Sequence, residues 1–408
     1  AQRVSGGKTM GVDTGSDEQL RREVRDWLDQ HGMEEVRGIS PMMWGGGRSP
    51  EKQEWEARLL EGRWICSHWP EEYGGRGLDS FQNAIVADEF AAAGYPRVTR
   101  GMGESLVSPA IIVHGTDEQK RAFLPRILDG TDRYCQGFSE PGAGSDLAGL
   151  QTRGVIDGDE VIVTGQKVWT SGAQFANMMF CLARTDPEAP KHQGISYILI
   201  PMADNGFDIR TLRQMTGGSG FSEVFIDGAR APLFNVIGGL NNGWRVANTT
   251  LGNERRGGSN RHVGFLRSWQ RVVDRARENG KIDDPTVRQE LAWAYTKIEI
   301  IRYQAERMNE LAAAGLEPGP EASIGKMLWS EYARRFGEIA MNVAGMDSLI
   351  RPDGEGYRQN EWMGMFLGAR SGTIWGGTAE VQRNIVGERA LGLPKEPDDA
   401  ARKAAPKV

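Results

Sequence analysis

The sequence lacks the features that define several large classes of protein. Its three cysteines, Cys66, Cys135 and Cys181, are too few and too far apart for a disulfide framework or a zinc site. No apolar run approaches the ~20 residues that a membrane-spanning helix needs, and the first residues lack the apolar core of a signal peptide. A formal net charge of −6 argues against nucleic-acid binding. We therefore expect a cytoplasmic enzyme without a membrane span, a nucleic-acid partner or a bound metal.

The spacing of apolar residues divides the chain into helical, β and helical parts. Apolar residues recur every three or four positions from Asp17 to about Gly130 and again from Trp244 onward. Between these parts, apolar pairs on both sides of Asp157-Gly158 predict two strands joined by a tight turn, and Asp227-Gly228 predicts another turn. Strands and helices that do not alternate exclude a doubly wound sheet or a (β/α) barrel. The sequence predicts a mostly α fold with an inserted β domain.

The same pattern sets the expected domain boundaries. We expect a disordered or tag-derived leader at residues 1–16 and a flexible tail at 396–408. Between them we expect an N-terminal helical domain (17–130), a middle β domain (131–240) and a C-terminal helical bundle (241–395). Glycine and polar residues from 345 to 368 are expected to interrupt the helices of the bundle.

Three glycine-containing blocks are candidates for ligand binding. Residues 138–147 read FSEPGAGSDL, where glycines allow close backbone approach and serine hydroxyls add donors. Residues 167–172, KVWTSG, place hydroxyl donors beside a tryptophan. Residues 374–383, IWGGTAEVQR, open a helix with N–H groups that suit an acyl carbonyl or a phosphate. A structural turn, a core tryptophan and an ordinary N-cap at Thr378 are the alternative interpretations.

In this order and spacing, the three blocks resemble those of the acyl-CoA dehydrogenase family, flavoenzymes that desaturate acyl-CoA thioesters. The matching segments are SEPGAGSDL, KxWTS and GGTAEVQR, and PEEYGG at 70–75 and GTDEQK at 115–120 are further family signatures. The resemblance runs from about Asp17 to Pro394. It implies an N-terminal helical domain, a middle β-barrel-like domain and a C-terminal four-helix bundle. It also implies a role in fatty acid or lipid metabolism, such as β-oxidation.

The resemblance implies FAD as the cofactor and assigns residues to it. The residues expected to bind FAD are Phe138 and Ser139 at the flavin ring, Gly144 and Ser145 at the border with CoA, Trp169, Thr170 and Ser171 near N5, and Thr378 and Glu380 toward the adenine side. The residues expected to contact the acyl-CoA substrate are Met102, Ser145, Arg255 and Gly377. Small residues around Met102 imply space for a branched or bulky acyl group.

Desaturation needs a carboxylate that removes the α-proton while hydride passes from Cβ to flavin N5. Many family members carry this base in a Y-E-G-T motif, but this chain has WGGT at 375–378, so glycine replaces the glutamate. A minority of the family places the base on a bundle helix in a block ending E-R, which LGNERR at 251–256 matches. The resemblance thus implies Glu254 as the base, Gly376 as an N–H donor to the thioester oxygen, and trans-2-enoyl-CoA as the product. A solvated position is the alternative for Glu254.

Two weakened family blocks leave the oligomeric state open. The R-x-x-F-G block appears without phenylalanine, so Arg275 or Arg277 is a poor substitute for the arginine that reaches a neighbouring subunit's FAD. The Q-x-x-G-G block is reduced to MNVAG at 341–345. A homodimer, a homotetramer and a heterotetramer with a related chain remain possible, with an electron-transfer flavoprotein as electron acceptor. The alternatives are a flavin monooxygenase or oxidase, or a subunit that lacks a complete site alone.

Overall fold

The computed structural model describes residues 14–39, 49–256, 261–313, 319–320, 322–350 and 359–395. The chain divides into two compact units, which are Ala1–Glu104 with Arg121–Asp132, and Ser105–Lys120 with Arg133–Val408. Residues 14–16 of the expected leader belong to the first helix. The rest of the leader and the expected tail lie outside the described residues.

Helices form the N-terminal part of the chain, as the apolar spacing predicts. They are α1 Thr14–His31, α2 Pro50–Glu61, α3 Ser80–Ala93, α4 Ser108–His114 and α5 Asp117–Leu128. Helix α3 begins with a capping box, in which the Asp79 carboxylate accepts from the backbone of Gln82 and the Gln82 side chain accepts from Asp79 N–H. Buried Trp55, Trp64 and Phe90 pack together in the first unit.

The middle part forms one eight-stranded sheet. Its strands are β1 Tyr134–Gly137, β2 Arg153–Asp157, β3 Glu160–Ser171, β4 Met178–Arg184, β5 Ile195–Pro201, β6 Phe207–Leu212, β7 Phe221–Pro232 and β8 Val236–Ile237. They run in the order β6-β7-β3-β2-β4-β5-β8, and β1 pairs with β4 in parallel. The predicted hairpin is confirmed, because β2 and β3 pair antiparallel with Asp157 opposite Glu160.

The turn predicted at Asp227-Gly228 is wrong, because β7 continues through these residues. Val163 pairs with Ala229 and Gly165 pairs with Ile226, so two residues of β7 lie opposite Thr164 alone. This is a β-bulge, and Gly228 adopts φ +67°, which glycine tolerates without steric cost. Its N–H donates to the Thr164 hydroxyl at 3.1 Å.

The C-terminal part is helical, with a bundle of four helices at its centre. The helices are α6 Gly243–Arg256, α7 Arg261–Glu278, α8 Pro285–Ala313, α9 Ala322–Ala344, α10 Glu361–Gly372 and α11 Ala379–Ile385. Buried Val272, Leu291 and Phe336 represent the core that α7, α8 and α9 share. The break expected from 345 to 368 is only partly correct, since α10 starts at Glu361 behind an Asn360 N-cap.

Two kinds of feature are absent from the part of the chain that the structure describes. No helix there is both long and apolar enough to span a bilayer. No group of three or more histidine, cysteine, aspartate and glutamate side chains there is arranged to hold a metal ion.

Candidate functional site

A buried lysine sets the shape of the glycine-rich loop after β1. Lys167 lies on β3 and is completely buried. Its ammonium donates to Glu140 Oε1 at 2.9 Å, to the Phe138 carbonyl at 3.1 Å and to the Leu182 carbonyl at 2.8 Å. These contacts use all three ammonium hydrogens, so the charge is fully compensated. The loop is thereby tied to the strand that carries the second candidate block.

The Glu140 carboxylate accepts further hydrogen bonds from the start of the next segment. Its oxygens accept from the N–H groups of Gln151 at 2.6 Å and Thr152 at 2.9 Å. Burial alone would raise the pKa of this carboxyl, but the Lys167 charge and the hydrogen bonds outweigh it, so the Glu140 pKa lies below its ordinary value. The residue stays ionised and holds both ends of the loop.

A second β-bulge turns Trp169 out of the sheet. Lys167 pairs with Val224 and Thr170 pairs with Ser222, so two residues of β3 lie opposite one of β7. Trp169 adopts φ +60°, which is rare for a bulky side chain, and 61% of its surface is exposed. Its ring meets Phe221 edge-on at 6.1 Å. The bulge therefore presents a flat aromatic face at the end of the sheet.

A buried hydroxyl with no partner among the described residues follows Trp169 directly in the chain. Thr170 is 1% exposed, and its hydroxyl is buried with no hydrogen-bond partner. Ser145 is exposed and Ser171 is half-buried. A Cβ at Gly144 would meet no atom within 4 Å, so the loop is open there. An exposed aromatic face followed in the chain by an unpartnered hydroxyl suits a flat heterocycle with carbonyl acceptors such as isoalloxazine.

Phe138 and Ser139 are brought to this place, but mainly through their backbone. The Ser139 carbonyl accepts from Val168 N–H at 2.9 Å, which joins the loop to the bulge. The Phe138 ring is 4% exposed and packs edge-on against Phe180 and Tyr197, at 5.5 Å and 6.0 Å. Any contact of Phe138 with a ligand therefore involves its main chain.

The third block forms a tight turn between α10 and α11. Gly376 and Gly377 adopt φ +64° and φ +86°, and in the described part of the chain their N–H groups have no hydrogen-bond partner. Thr378 is the N-cap of α11, since its hydroxyl accepts from Val381 N–H at 3.2 Å. Glu380 is exposed. Among the described residues, no backbone hydrogen bond joins this turn to the loop of residues 138–147.

Position 254 follows a buried stripe on α6. Gly243, Ala247 and Thr250 are buried and recur at spacings of four and three residues, and Glu254 continues this series one turn later. The side chains of Glu254 and Arg255 lie outside the described residues. The role of Glu254 as base therefore stays a prediction, supported by the helical spacing of its backbone position.

A cleft of roughly 360 Å³, lined mostly by polar residues, lies at the start of α6, where the sequence predicted no site. It is lined by His192, Gln193, Asn241, Asn242, Trp244, Arg245 and Asn248. The His192 and Trp244 rings meet at 4.8 Å. The run NNGWR at 241–245 is a signal that could have indicated it, because it combines amides, an aromatic ring and a cation.

Met102 belongs to the first unit, apart from the other candidate residues. It is half-buried and precedes a π-helical turn at Gly103–Val107. Within that turn, buried Glu104 accepts from Arg100 N–H at 2.7 Å and lies 3.7 Å from His68 Nδ1. Burial holds the pKa of His68 below its ordinary value, although Glu104 opposes the shift.

Both arginines considered for a neighbouring subunit's FAD have carboxylate partners within this chain. Arg275 donates to Glu278 at 3.0 Å and also to Asp347. Arg277 donates to Asp274 at 2.9 Å. Their charges are therefore already paired with carboxylates of the same bundle.

Models of three protein domains match the chain in succession. They are the acyl-CoA dehydrogenase N-terminal domain over residues 14–131, the middle domain over 135–229 and the C-terminal domain over 241–391. Together they span the helical, β and helical parts of the fold.

Similar proteins and solved structures agree with these matches. The chain is 40% identical over 384 residues to acyl-CoA dehydrogenase IpdE1 of Mycobacterium tuberculosis, covering 93% of this chain and 98% of that protein. It superposes on the steroid ACAD Tcur3481-Tcur3483 with a TM-score of 0.78 and 32% identity, covering 94% and 99% of the two chains. The ChsE4-ChsE5 complex of Mycobacterium tuberculosis gives a TM-score of 0.73 and 32% identity, covering 97% and 100%.

Proposed function

Because this chain belongs to the acyl-CoA dehydrogenase family and is a flavin-dependent oxidoreductase, we propose that it desaturates an acyl-CoA thioester to the trans-2-enoyl-CoA. The observation that supports the assignment of the base is the position of Glu254. It continues the buried stripe of α6, whereas the Gly376-Gly377 turn carries no carboxylate.

The chain's own residues supply the acid–base chemistry of this proposal. The α-proton of a thioester is weakly acidic, so the carbonyl oxygen needs a hydrogen bond that strengthens as enolate character grows. Gly376 N–H, which has no partner among the described residues, is the proposed donor. Glu254 takes the α-proton onto its carboxylate. When bound, FAD supplies the acceptor for the hydride that leaves Cβ.

The proposed FAD site lies at the end of β3. Trp169 provides the aromatic face, and the unpartnered Thr170 hydroxyl provides a donor. The open loop at Gly144 and Ser145 leaves room for the ring and its carbonyl groups. Ser139, Ser171, Thr378 and Glu380 complete the proposed set.

The polar cleft at the start of α6 is proposed to take the nucleotide end of CoA. The edge-on pair of His192 and Trp244 suits an adenine, and exposed Arg245 suits a phosphate. Arg255 follows on the same helix and is assigned to the pantetheine part. Gly377 is proposed to contact the acyl group, and the assignment of Met102 to the substrate stays a prediction from the sequence.

The acyl group is proposed to be bulkier than a straight chain, and a second, related chain is proposed to complete each site. The steroid ACAD Tcur3481-Tcur3483 and the ChsE4-ChsE5 complex support both proposals. The loss of phenylalanine from the R-x-x-F-G block also favours a related chain, because in the family this block reaches a neighbouring subunit's FAD. An electron-transfer flavoprotein is the proposed electron acceptor.

Glu254→Gln tests the proposed base by anaerobic titration of the purified flavoprotein. The protein is titrated with a set of acyl-CoA thioesters that carry straight, branched and polycyclic acyl groups. We expect wild type to bleach at 450 nm with at least one of these thioesters, and the variant to retain FAD with bleaching slowed about 1,000-fold or more, because no other group removes the proton. The same titration with the corresponding acyl-pantetheine tests the cleft, since that substrate lacks the nucleotide.

Glu310→Gln on α8 is the matched control, since this exposed glutamate is replaced in the same way. Equal bleaching of wild type and Glu254→Gln would remove Glu254 from the mechanism. Rapid oxygen consumption by the reduced wild type without an acceptor would support a monooxygenase or oxidase instead. Equal apparent affinity for acyl-CoA and acyl-pantetheine would remove the cleft from the proposed site.

A further inference from the structure

The Gly376-Gly377 turn has little stiffness of its own. Both residues have positive φ, and glycine has more conformational freedom to lose than any other residue. A donor that stabilises a transition state must already be oriented when the reaction occurs. A hydrogen-bond donor built on two successive glycines therefore requires support from neighbouring elements.

Lys326 contacts the end of α10, where the turn begins. It lies in the first turns of α9, is 7% exposed, and its ammonium donates to the Gly372 carbonyl at 2.5 Å. Gly372 is the last residue of α10, so the cation also faces the negative end of the helix dipole. A lysine buried to this degree is unusual unless its charge is used.

The same ammonium lies beside two tryptophan rings. Its distances to the ring centroids are 5.4 Å for Trp329 and 5.8 Å for Trp375, within the range of cation–π contacts. The two rings pack 5.2 Å apart, and Trp375 Nε1 donates to Ser371 Oγ at 3.2 Å. Trp375 directly precedes Gly376, so Lys326 holds both the end of α10 and the residue before the donor.

Gln382 also contacts the turn. It lies on α11, is 1% exposed, and its Nε2 donates to the Gly376 carbonyl at 3.3 Å. A Cβ at Gly377 would displace this amide, and the φ of +86° at Gly377 also disfavours any residue other than glycine. A buried side chain thus holds the carbonyl of Gly376, while Lys326 contacts the ring of Trp375, whose peptide carries the Gly376 N–H.

We propose that Lys326 and Gln382 are positioning residues that orient the Gly376 N–H toward the thioester oxygen. The inference rests on the proposed function, in which Gly376 is that donor. The two side chains act from different helices and compensate for the stiffness that the glycine pair lacks. Their removal is expected to lower kcat more than it changes KM.

The test uses the purified holoenzyme, with its related chain where the two co-purify, and trans-cinnamoyl-CoA labelled with carbon-13 at the carbonyl. Infrared difference spectra report the carbonyl stretch, which moves to lower wavenumber when a hydrogen bond is donated to the oxygen. We expect this shift in wild type and its loss in Lys326→Met and Gln382→Met. We also expect kcat to fall about 10- to 100-fold with less than threefold change in KM.

Two further variants separate positioning from general stability. Lys326→Arg keeps a cation at the same place and is expected to recover part of the shift. Arg334→Met removes an exposed cation from the same helix and is expected to keep the wild-type spectrum and rate. Gln382→Met loses only one hydrogen bond, so it provides a second test if Lys326→Met does not fold.

The outcomes distinguish this inference from the proposed function. A shifted band in wild type that persists in both methionine variants, with unchanged kcat, would overturn the positioning roles and leave Gly376 as donor. A wild-type band at the position of free cinnamoyl-CoA would remove Gly376 as donor, and the positioning roles with it.

Discussion

Trp169 illustrates how a single residue is held in an unfavourable conformation at the proposed flavin site. A left-handed backbone at a residue other than glycine costs roughly 1–2 kcal/mol, and an exposed indole gains little from burial. The β-bulge keeps Trp169 in this state because Lys167 and Thr170 on either side are buried and paired in the sheet. Strain of this kind is typical of ligand sites, where the surrounding structure enforces it.

Gly377→Ala is the prediction that belongs to a single backbone position. Its φ of +86° and the contact of the new Cβ with the Gln382 amide both disfavour alanine. We expect the free energy of unfolding to fall by about 1–3 kcal/mol, measured by urea denaturation. Gly368→Ala is the control, because a Cβ at this α10 residue meets no atom within 4 Å. It should be neutral or stabilising by about 0.5–1 kcal/mol, and an equal loss in both variants would contradict the conformational argument.

Individual site residues were predictable from the sequence only where a motif contains them. The absence of a carboxylate at Gly376 and the aromatic at Trp169 follow directly from the blocks. Lys167 and Glu140 are 27 positions apart and belong to two separate motifs. The sequence indicates each motif, but it does not indicate that these two side chains contact each other. Lys326 and Gln382 belong to helices whose apolar spacing gives no sign of a polar contact with the turn.

At the scale of elements, strand β3 both holds the loop after β1 and presents an exposed aromatic side chain. Its central residue Lys167 is buried against the loop after β1, and two residues later Trp169 is exposed. The intervening bulge changes the direction of the side chains without ending the strand. One strand thereby fixes the loop and presents the aromatic face, so the distance between the two proposed flavin contacts is set by the sheet.

Glu140→Gln should weaken this arrangement in a pH-dependent way. Loss of the carboxylate leaves Lys167 buried with an uncompensated charge, which costs about 3 kcal/mol at neutral pH. Because the folded pKa of Glu140 is depressed, its stabilisation is full above the unfolded pKa of about 4.3 and is lost as pH falls through the folded value. Urea midpoints measured from pH 7 down to pH 3 should therefore show the wild type and the variant converging in acid.

Glu160→Gln is the matched control for that series. Its carboxylate pairs with Arg230 at 2.7 Å on the exposed side of the same sheet, and exposed pairs contribute about 1 kcal/mol or less. A difference between wild type and Glu140→Gln that stays constant from neutral to acid pH would show that the carboxylate charge is not what stabilises the loop.

The elements themselves were predictable where the period was unambiguous. The hairpin of β2 and β3 and the stripe Val287, Leu291, Ile298 on α8 follow from simple spacing. The bulges could not be predicted, because they depend on which residues face each other across two strands. Helix α10 was missed because its glycines suggested a break, whereas close packing of its backbone against Gly337 of α9 favours the helix.

At the scale of the whole molecule, the proposal of a related partner chain predicts how FAD is retained. Purified alone, the chain should keep less than one FAD per polypeptide after gel filtration, because its R-x-x-F-G and Q-x-x-G-G blocks are incomplete. Co-purification with a related chain that carries intact R-x-x-F-G and Q-x-x-G-G blocks should raise FAD retention and acyl-CoA-dependent bleaching together. Absorbance at 450 nm and mass photometry measure the ratio and the assembly.

A homo-oligomer of this chain alone with a full complement of FAD would contradict the need for a partner. Asp347→Asn provides an internal check, because it releases one contact of Arg275. If the pairing of Arg275 is what prevents it from serving a neighbour, this variant alone should retain more FAD than wild type alone.

The division of the chain into units has a consequence for synthesis on the ribosome. The first unit consists of two stretches of the chain, Ala1–Glu104 and Arg121–Asp132. The residues between them, Ser105–Lys120, belong to the second unit. The nascent N-terminal unit therefore cannot close until residue 132 has left the exit tunnel. A recombination event that exchanged this unit between two genes would have to transfer two separate stretches of coding sequence, because no single crossover encloses it.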